Sequence, residues 1–123
     1  MPDAGTLFVA VLAGHLAGDW IAQTDHQAAN KTTSRRALAA HVATYHAALL
    51  ACTLPVLHDP ARLAILLTVS AATHWYIDQR WPTLLVMRAT RSHQLAATTW
   101  GVIVTDQALH LLILAALTLT LAG

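Results

Sequence analysis

The sequence contains no glutamate, one lysine, one cysteine and one phenylalanine among its 123 residues. Glutamate and lysine normally cover the surface of a soluble helical protein, so their scarcity argues against that class. The lone Cys52 excludes an internal disulfide framework. The few basic residues form no stripe with exposed aromatic residues, so we expect no nucleic-acid partner. With 56% apolar and 11% charged residues, the composition is typical of a protein that resides in a lipid bilayer.

Four apolar segments are long enough to span a bilayer, which requires about 17–25 residues, and the first is near the short end of that range. They cover approximately residues 6–22, 37–57, 62–81 and 98–121. Short connections make successive helices antiparallel, and lipid excludes backbone arrangements with unpaired polar groups. The sequence therefore predicts an all-α protein whose residues 1–123 form a single transmembrane domain, an integral membrane four-helix antiparallel bundle.

The basic residues predict how this bundle is oriented. Six of the seven flank two connections on the same side: Lys31, Arg35, Arg36, Arg80, Arg88 and Arg91. The positive-inside rule makes that side cytoplasmic. We therefore predict a multi-pass protein of the bacterial inner membrane with both termini outside the cytoplasm.

Every predicted helix carries ionisable or polar residues that are costly in hydrocarbon and usually mark function. Residues four apart share one face of a helix. One such pair occurs in each helix: His15 and Asp19, His41 and Tyr45, His74 and Asp78, and Asp106 and His110. At about 1.5 Å of rise per residue, all of them except His110 fall in the cytoplasmic half, and His110 falls just past the midplane.

Pairs of histidine and carboxylate at this spacing are how helical bundles build metal sites. We predict that seven residues converge in one cavity and bind a divalent transition metal: His15, Asp19, His41, His74, Asp78, Asp106 and His110. Nitrogen and oxygen ligands without a thiolate suit zinc, iron, manganese or nickel, and we expect zinc first. We expect His15, His74 and Asp78 to be the core ligands, because the first and third helices repeat the same spacing and depth. An aspartate could instead orient a histidine without binding the metal.

The first predicted helix also carries Gly14-x-x-x-Gly18. Small residues at this spacing predict that a neighbouring helix packs closely against them. Since His15 and Asp19 belong to the same segment, the contact would lie beside the predicted site.

The polar residues belong to a longer pattern, which includes His15-Leu16-Ala17-Gly18-Asp19-Trp20-Ile21-Ala22-Gln23, Asn30-Lys31, His41-x-x-x-Tyr45, His74-x-x-Ile77-Asp78 and Asp106-Gln107-x-x-His110. This pattern resembles that of an uncharacterised family of small polytopic membrane proteins found in bacteria and their phages. That family usually has a lysine three residues after the third-helix aspartate, where this sequence has Trp81 preceded by Arg80. The resemblance implies the membrane topology and a shared polar core, and it brings no established activity. A looser likeness, by residue type alone, is to membrane-bound metal-dependent hydrolases.

The first functional hypothesis is a metal-dependent hydrolase that acts on a lipid or another amphiphile at the cytoplasmic leaflet. The metal would activate water, and Asp19, Tyr45 or Asp106 would transfer protons as catalytic residues. The alternatives are a module for proton or metal transport or sensing, a haem bundle ligated by His41 and His110, and a structural subunit. The lipid bilayer is the expected partner, with a homo-oligomer or a larger membrane complex as further assemblies.

Overall fold

The computed structural model describes all 123 residues. It is all-helical, as the sequence predicts, with seven α-helices and no strand. The helices are α1 (Ala4–Leu16), α2 (Asp25–Asn30), α3 (Arg35–Thr53), α4 (Pro60–Ile77), α5 (Trp81–Ala89), α6 (His93–Ala96) and α7 (Thr99–Leu121). A π-helical turn over Ala17–Ile21 continues α1. The short helices α2, α5 and α6 lie in segments that the sequence analysis assigned to connections.

The starts of the long helices follow from the side chains that precede them. Asp3, Ser34 and Thr98 each accept a hydrogen bond from the backbone N–H three residues ahead, at the starts of α1, α3 and α7. Asp59 accepts from two N–H groups of α4, and the first residue of that helix is Pro60. Proline is favoured there because the N–H that it lacks would have no partner within the helix. Local sequence therefore determines where these four helices begin.

The four long helices pack as a closed antiparallel bundle. Helix α1 contacts α3 and α7, and α4 contacts the same two helices. The antiparallel direction is visible at the helix ends: Arg62 near the start of α4 donates a hydrogen bond to the Leu121 carbonyl at the end of α7, at 2.8 Å. The ends of α1 and α4 therefore lie beside the starts of α3 and α7. We call this end of the bundle the site end.

The opposite half of the bundle, which holds both termini, is filled by apolar side chains. Its core consists of nine buried residues: Leu7, Val11, Tyr45, Leu49, Leu57, Leu66, Leu114, Leu117 and Leu121. Tyr45 lies at the boundary between this core and the polar half. The bundle is thus divided along its length into an apolar half and a polar half.

Two helices are long and apolar enough to cross a membrane, Ala4–Ile21 and Thr99–Leu121. Only 17% of the apolar window in α7 is buried inside the protein, so most of its surface faces outwards. Helices α3 and α4 do not meet the same criterion, because histidines, hydroxyl side chains and arginines lower their hydropathy. Of the four predicted spanning segments, only two thus correspond to helices that meet the criterion by length and composition.

Candidate metal centre

Ionisable side chains gather inside the bundle at the site end. Four of them converge: Asp19 from the π-helical turn, His41 from α3, His74 from α4, and Asp78 from the position directly after α4. All four are at most 4% exposed. One potential ligand atom from each lies within 4.8 Å of those of the other three. We call these four residues the tetrad.

The spacing of the tetrad atoms suits a small cation. His41 Nε2 lies 3.1 Å from Asp19 Oδ1 and 3.0 Å from Asp78 Oδ2. His74 Nε2 lies 3.4 Å and 3.2 Å from the same two oxygens, and the two Nε2 atoms are 3.0 Å apart. Zinc bonds of about 2.0–2.1 Å in tetrahedral geometry place ligand atoms about 3.3–3.4 Å from one another. The observed distances agree with that geometry to within a few tenths of an ångström.

The short contacts between carboxylate and imidazole in the tetrad are not aligned as hydrogen bonds. Asp19 Oδ1 has no hydrogen-bond partner, although two imidazole nitrogens lie within 3.4 Å of it. Only the His41–His74 pair has the alignment of a hydrogen bond. The Nδ1 atoms of both histidines are also unpartnered. Because a buried carboxylate oxygen without a partner is costly, Asp19 Oδ1 beside the two imidazole Nε2 atoms and Asp78 Oδ2 fits a cation held between the four atoms.

Lys31 adds a positive charge at the edge of the tetrad. Its Nζ donates a hydrogen bond to Asp78 Oδ2 at 3.0 Å. With neutral histidines, Lys31 and the carboxylates of Asp19, Asp78 and Asp106 carry a formal charge of −2. One divalent cation would balance the charge of these four residues. In the sequence analysis, Lys31 was used for the membrane orientation and in the Asn30-Lys31 pair of the longer pattern, but it was not placed in the site.

The π-helical turn brings Asp19 into the site. Its backbone hydrogen bond spans five residues instead of four, and such turns recur at functional sites. Gly18 lets the turn approach α3, since a Cβ at that position would lie 2.6 Å from Tyr45 Cδ2. At Gly14 a Cβ would lie 2.8 Å from Leu49 Cα. The predicted close helix contact at the two glycines is confirmed.

His15 lies beside the tetrad, with both ring nitrogens engaged elsewhere. Its Nε2 is 2.8 Å from Gln107 Oε1, and its Nδ1 is 3.0 Å from the Tyr45 hydroxyl. Gln107 in turn donates a hydrogen bond to Asp19 Oδ2 at 3.0 Å, whereas His15 Nε2 itself is 3.9 Å from that oxygen. His15 therefore holds Gln107, which holds Asp19. Of the three residues expected to be core ligands, the tetrad contains His74 and Asp78.

The remaining predicted residues surround the tetrad at different distances. His110 Nε2 lies 3.3 Å from Asp78 Oδ1, and His110 Nδ1 lies 3.5 Å from Asp106 Oδ2. The side chain of Asp106 is 18% exposed and reaches a cavity. Tyr45 is fully buried, with its ring centroid 4.0 Å from that of His74. The tyrosine thus packs behind the site, away from the cavity.

A cavity of about 190 Å³ opens onto the site. Its wall combines three carboxylates, two cations and several apolar or small polar side chains: Asp19, Asp78, Asp106, Lys31, Arg80, Trp20, Val102, Ile103, Gln23, Ala28, Thr32 and Gln107. Arg80 adopts φ 70°, a left-handed conformation that is rare for a residue with a side chain. The cavity has room for several water molecules or for a small anionic group.

Comparison with known families places the whole bundle in one group. Residues 7–123 match the model of the family described as "Protein of unknown function (DUF3307)". The chain belongs to this family. No curated protein and no solved structure matches the chain. Every residue of the candidate site falls within the matched range, and the family description assigns no activity, so the function has to be inferred from the chemistry of the site.

Proposed function

We propose that this protein is a membrane-embedded, metal-dependent hydrolase that cleaves an ester or phosphoester of a lipid or another amphiphile. The observation that carries the proposal is the tetrad, in which buried nitrogen and oxygen atoms converge without pairing as carboxylate–imidazole hydrogen bonds. The two helices that are able to cross a membrane support a location in the bilayer. The basic residues of the sequence favour a site end that faces the cytoplasm.

The ligand types favour zinc, with iron and manganese as the next candidates, because nitrogen and oxygen atoms converge without a thiolate. A bound divalent ion makes coordinated water acidic enough to provide hydroxide near neutral pH and polarises the bond to be cleaved. The tetrad would hold the ion, and Lys31 would orient the Asp78 carboxylate through its hydrogen bond. Gln107 would do the same for Asp19.

Asp106 is the carboxylate best placed to accept a proton from water in the cavity. It lies outside the tetrad, it lines the cavity, and part of its side chain is exposed. A general base needs to be within hydrogen-bond reach of the proton that it removes, directly or through one water. Asp19 would act as a metal ligand, and Tyr45 would position His15 through their hydrogen bond.

The cavity favours an anionic group in the substrate. Lys31 and Arg80 both line it, and these side chains are the usual recognition groups for phosphate. The small volume admits only the reacting group of an amphiphile. Trp20, which is 57% exposed, lies in the wall of the cavity and offers an apolar surface to the rest of the substrate. A phosphoester is therefore favoured over an uncharged ester.

A transport role has less support, because polar groups do not continue through the apolar half of the bundle. The part-buried His46 and the buried Ser70 pair with each other beside Tyr45. Beyond this pair, the buried polar side chains are Thr53 and Thr118, and both donate to the backbone of their own helices. A path for protons or ions across a membrane requires a chain of polar groups or a water-filled cavity. The site is thus open to one end of the bundle and is closed by the apolar core towards the other.

The proposal is tested with protein that is purified in mild detergent, analysed for metals, and assayed for release of p-nitrophenol from bis-p-nitrophenyl phosphate and from p-nitrophenyl butyrate. We expect at least one divalent ion per chain and hydrolysis, with the phosphodiester preferred. Removal of the metal by a chelator should abolish turnover, and zinc should restore it. Asp106→Asn should keep at least one ion per chain and lower turnover about 100-fold or more.

The matched control is His58→Ala, since His58 is exposed and lies in the connection at the opposite end of the bundle. Its metal content and turnover should equal those of the unaltered protein. Folded protein that never retains a metal would contradict the proposal and favour a structural subunit. Bound metal without hydrolysis of either ester would favour the sensing or transport alternative.

A further inference from the structure

A second group of ligand atoms faces the other oxygen of Asp78. Asp78, Asp106 and His110 each offer one atom that lies within 4.8 Å of those of the other two. Asp78 directs Oδ2 towards His41 and His74, whereas its Oδ1 lies 3.3 Å from His110 Nε2. A carboxylate whose two oxygens face two separate ligand groups has the arrangement of a carboxylate that bridges two metal ions.

Two buried atoms without partners point into this second position. His110 is 3% exposed and Asp78 is 2% exposed. His110 Nδ1 lies 2.9 Å from the backbone carbonyl of Asp106, and because a carbonyl can only accept, Nδ1 carries the proton. In a neutral His110, Nε2 then bears a lone pair and no proton. It faces Asp78 Oδ1 at 3.3 Å, and neither atom has a hydrogen bond. Such a pair repels unless Nε2 takes up a proton or a metal cation lies between the two atoms.

The groups around this second position support a role for His110 and Asp106 as metal ligands. A histidine that binds a metal through one nitrogen usually donates its other N–H to a carbonyl or carboxylate, as His110 does to the Asp106 carbonyl. Asp106 Oδ1 accepts a hydrogen bond from Thr83 at 3.2 Å, which orients the carboxylate. Asp106 also lines the cavity, so water or substrate can reach any coordination position that the protein leaves open.

We propose that the centre is dinuclear, with Asp78 bridging one divalent ion in the tetrad and a second ion held by Asp78, Asp106 and His110. This inference rests on the proposed hydrolase function, because two ions about 3.5–4 Å apart stabilise the attacking and the leaving oxygen of a phosphoester. Asp106 can bind the second ion through one oxygen and accept a proton on the other. With two divalent ions the site carries a formal charge of +2, which hydroxide and an anionic phosphoester offset.

The number of bound ions tests the inference without measuring activity. Tag-free protein in detergent is stripped with a chelator and titrated with zinc and, separately, with Mn²⁺ for electron paramagnetic resonance. We expect two ions per chain and an exchange-coupled Mn²⁺ spectrum. His110→Ala should bind one ion per chain, keep the tighter binding step, and give an uncoupled spectrum. His110→Gln, which is closer in size to histidine, provides the same test if the alanine variant does not fold.

The matched control is His46→Ala. His46 is a part-buried histidine that packs edge-on against His74, but its nitrogens contact the Val42 carbonyl and Ser70 instead of a carboxylate. The variant should retain two ions per chain. One ion per chain in the unaltered protein, unchanged in His110→Ala, would overturn the dinuclear inference and leave the proposed function intact. Two ions with an uncoupled Mn²⁺ spectrum would overturn the bridging role of Asp78. No bound ion would overturn both the inference and the proposed function.

Discussion

Substituting two histidines, one inside the tetrad and one beside it, distinguishes a residue that binds the metal from a residue that supports a ligand. His74 supplies one of the two nitrogen atoms of the tetrad, and its Nε2 lies 3.2 Å and 3.4 Å from the nearest oxygens of Asp78 and Asp19. His74→Gln removes this imidazole and leaves a tetrad with a single nitrogen ligand. We expect the affinity for zinc in the tetrad to fall by more than about 100-fold, beyond the range for supporting residues.

His15 should behave differently, because it supports the tetrad through Gln107 and Tyr45 and supplies none of its four converging atoms. The hydrogen bonds from His15 to Gln107 and from Gln107 to Asp19 are 2.8 Å and 3.0 Å long. Loss of a residue that supports a ligand typically weakens metal affinity by about 10- to 100-fold, which corresponds to about 1.4–2.7 kcal/mol. His15→Gln should fall in this range. The two variants carry the same substitution, so the difference between them reports position in the site.

Zinc affinity is measured in detergent by competition with a chromophoric chelator, with His58→Ala as the control for binding to exposed histidines. The melting temperatures of the metal-free proteins show whether each variant is folded. If His74→Gln binds zinc within tenfold of the unaltered protein, or if His15→Gln loses as much affinity as His74→Gln, the assignment of the tetrad is wrong.

Three further predictions concern packing, charge and orientation. Gly18→Leu, where even a Cβ would lie 2.6 Å from the neighbouring tyrosine ring, should lower the free energy of unfolding by about 1–3 kcal/mol. Gly5→Ala, where a Cβ would meet only the exposed carboxylate of Asp3 at 3.1 Å, should lower it by less. Equal thermal stability of the two variants in detergent would contradict the helix contact. Lys31→Gln should raise KM for a phosphodiester by more than it raises KM for a neutral ester, because the variant removes a cation from the cavity wall; an equal change in both constants would argue against anion recognition. A cysteine placed at Gly123 in a Cys52→Ser background should react with a membrane-impermeant thiol reagent added to intact cells, and reaction only in inverted vesicles would reverse the predicted orientation.

The helical class could be predicted from the sequence because it depends on local information. Asp3, Ser34, Asp59 and Thr98 are capping residues directly before the long helices, and each satisfies backbone donors regardless of the rest of the fold. The short helix α2 also had a local signal, the capping box formed by Thr24 and Gln27. Sequence analysis passed over that signal because the segment is polar and was assigned to a connection.

Membrane insertion was less predictable, because the polar residues of a functional core and the apolar residues of a membrane span compete within the same helix. Helices α3 and α4 contribute His41 and His74 to the site, and polar residues of this kind lower the mean hydropathy of both helices below the level that a membrane span requires. Helices α1 and α7 meet the requirement although they too carry polar side chains, since the rest of their residues are strongly apolar.

The sequence by itself determined the helices, their starts, and the pairs of polar residues that share a helix face, because each depends on residues within one or two turns. Only the tertiary structure decided which members of those pairs meet. The π-helical turn and the close contact at Gly18 rotate Asp19 towards His41 and His74, while His15 turns to Gln107. A spacing of four residues places two side chains on one face but does not set the direction of that face. The packing of the neighbouring helices sets that direction.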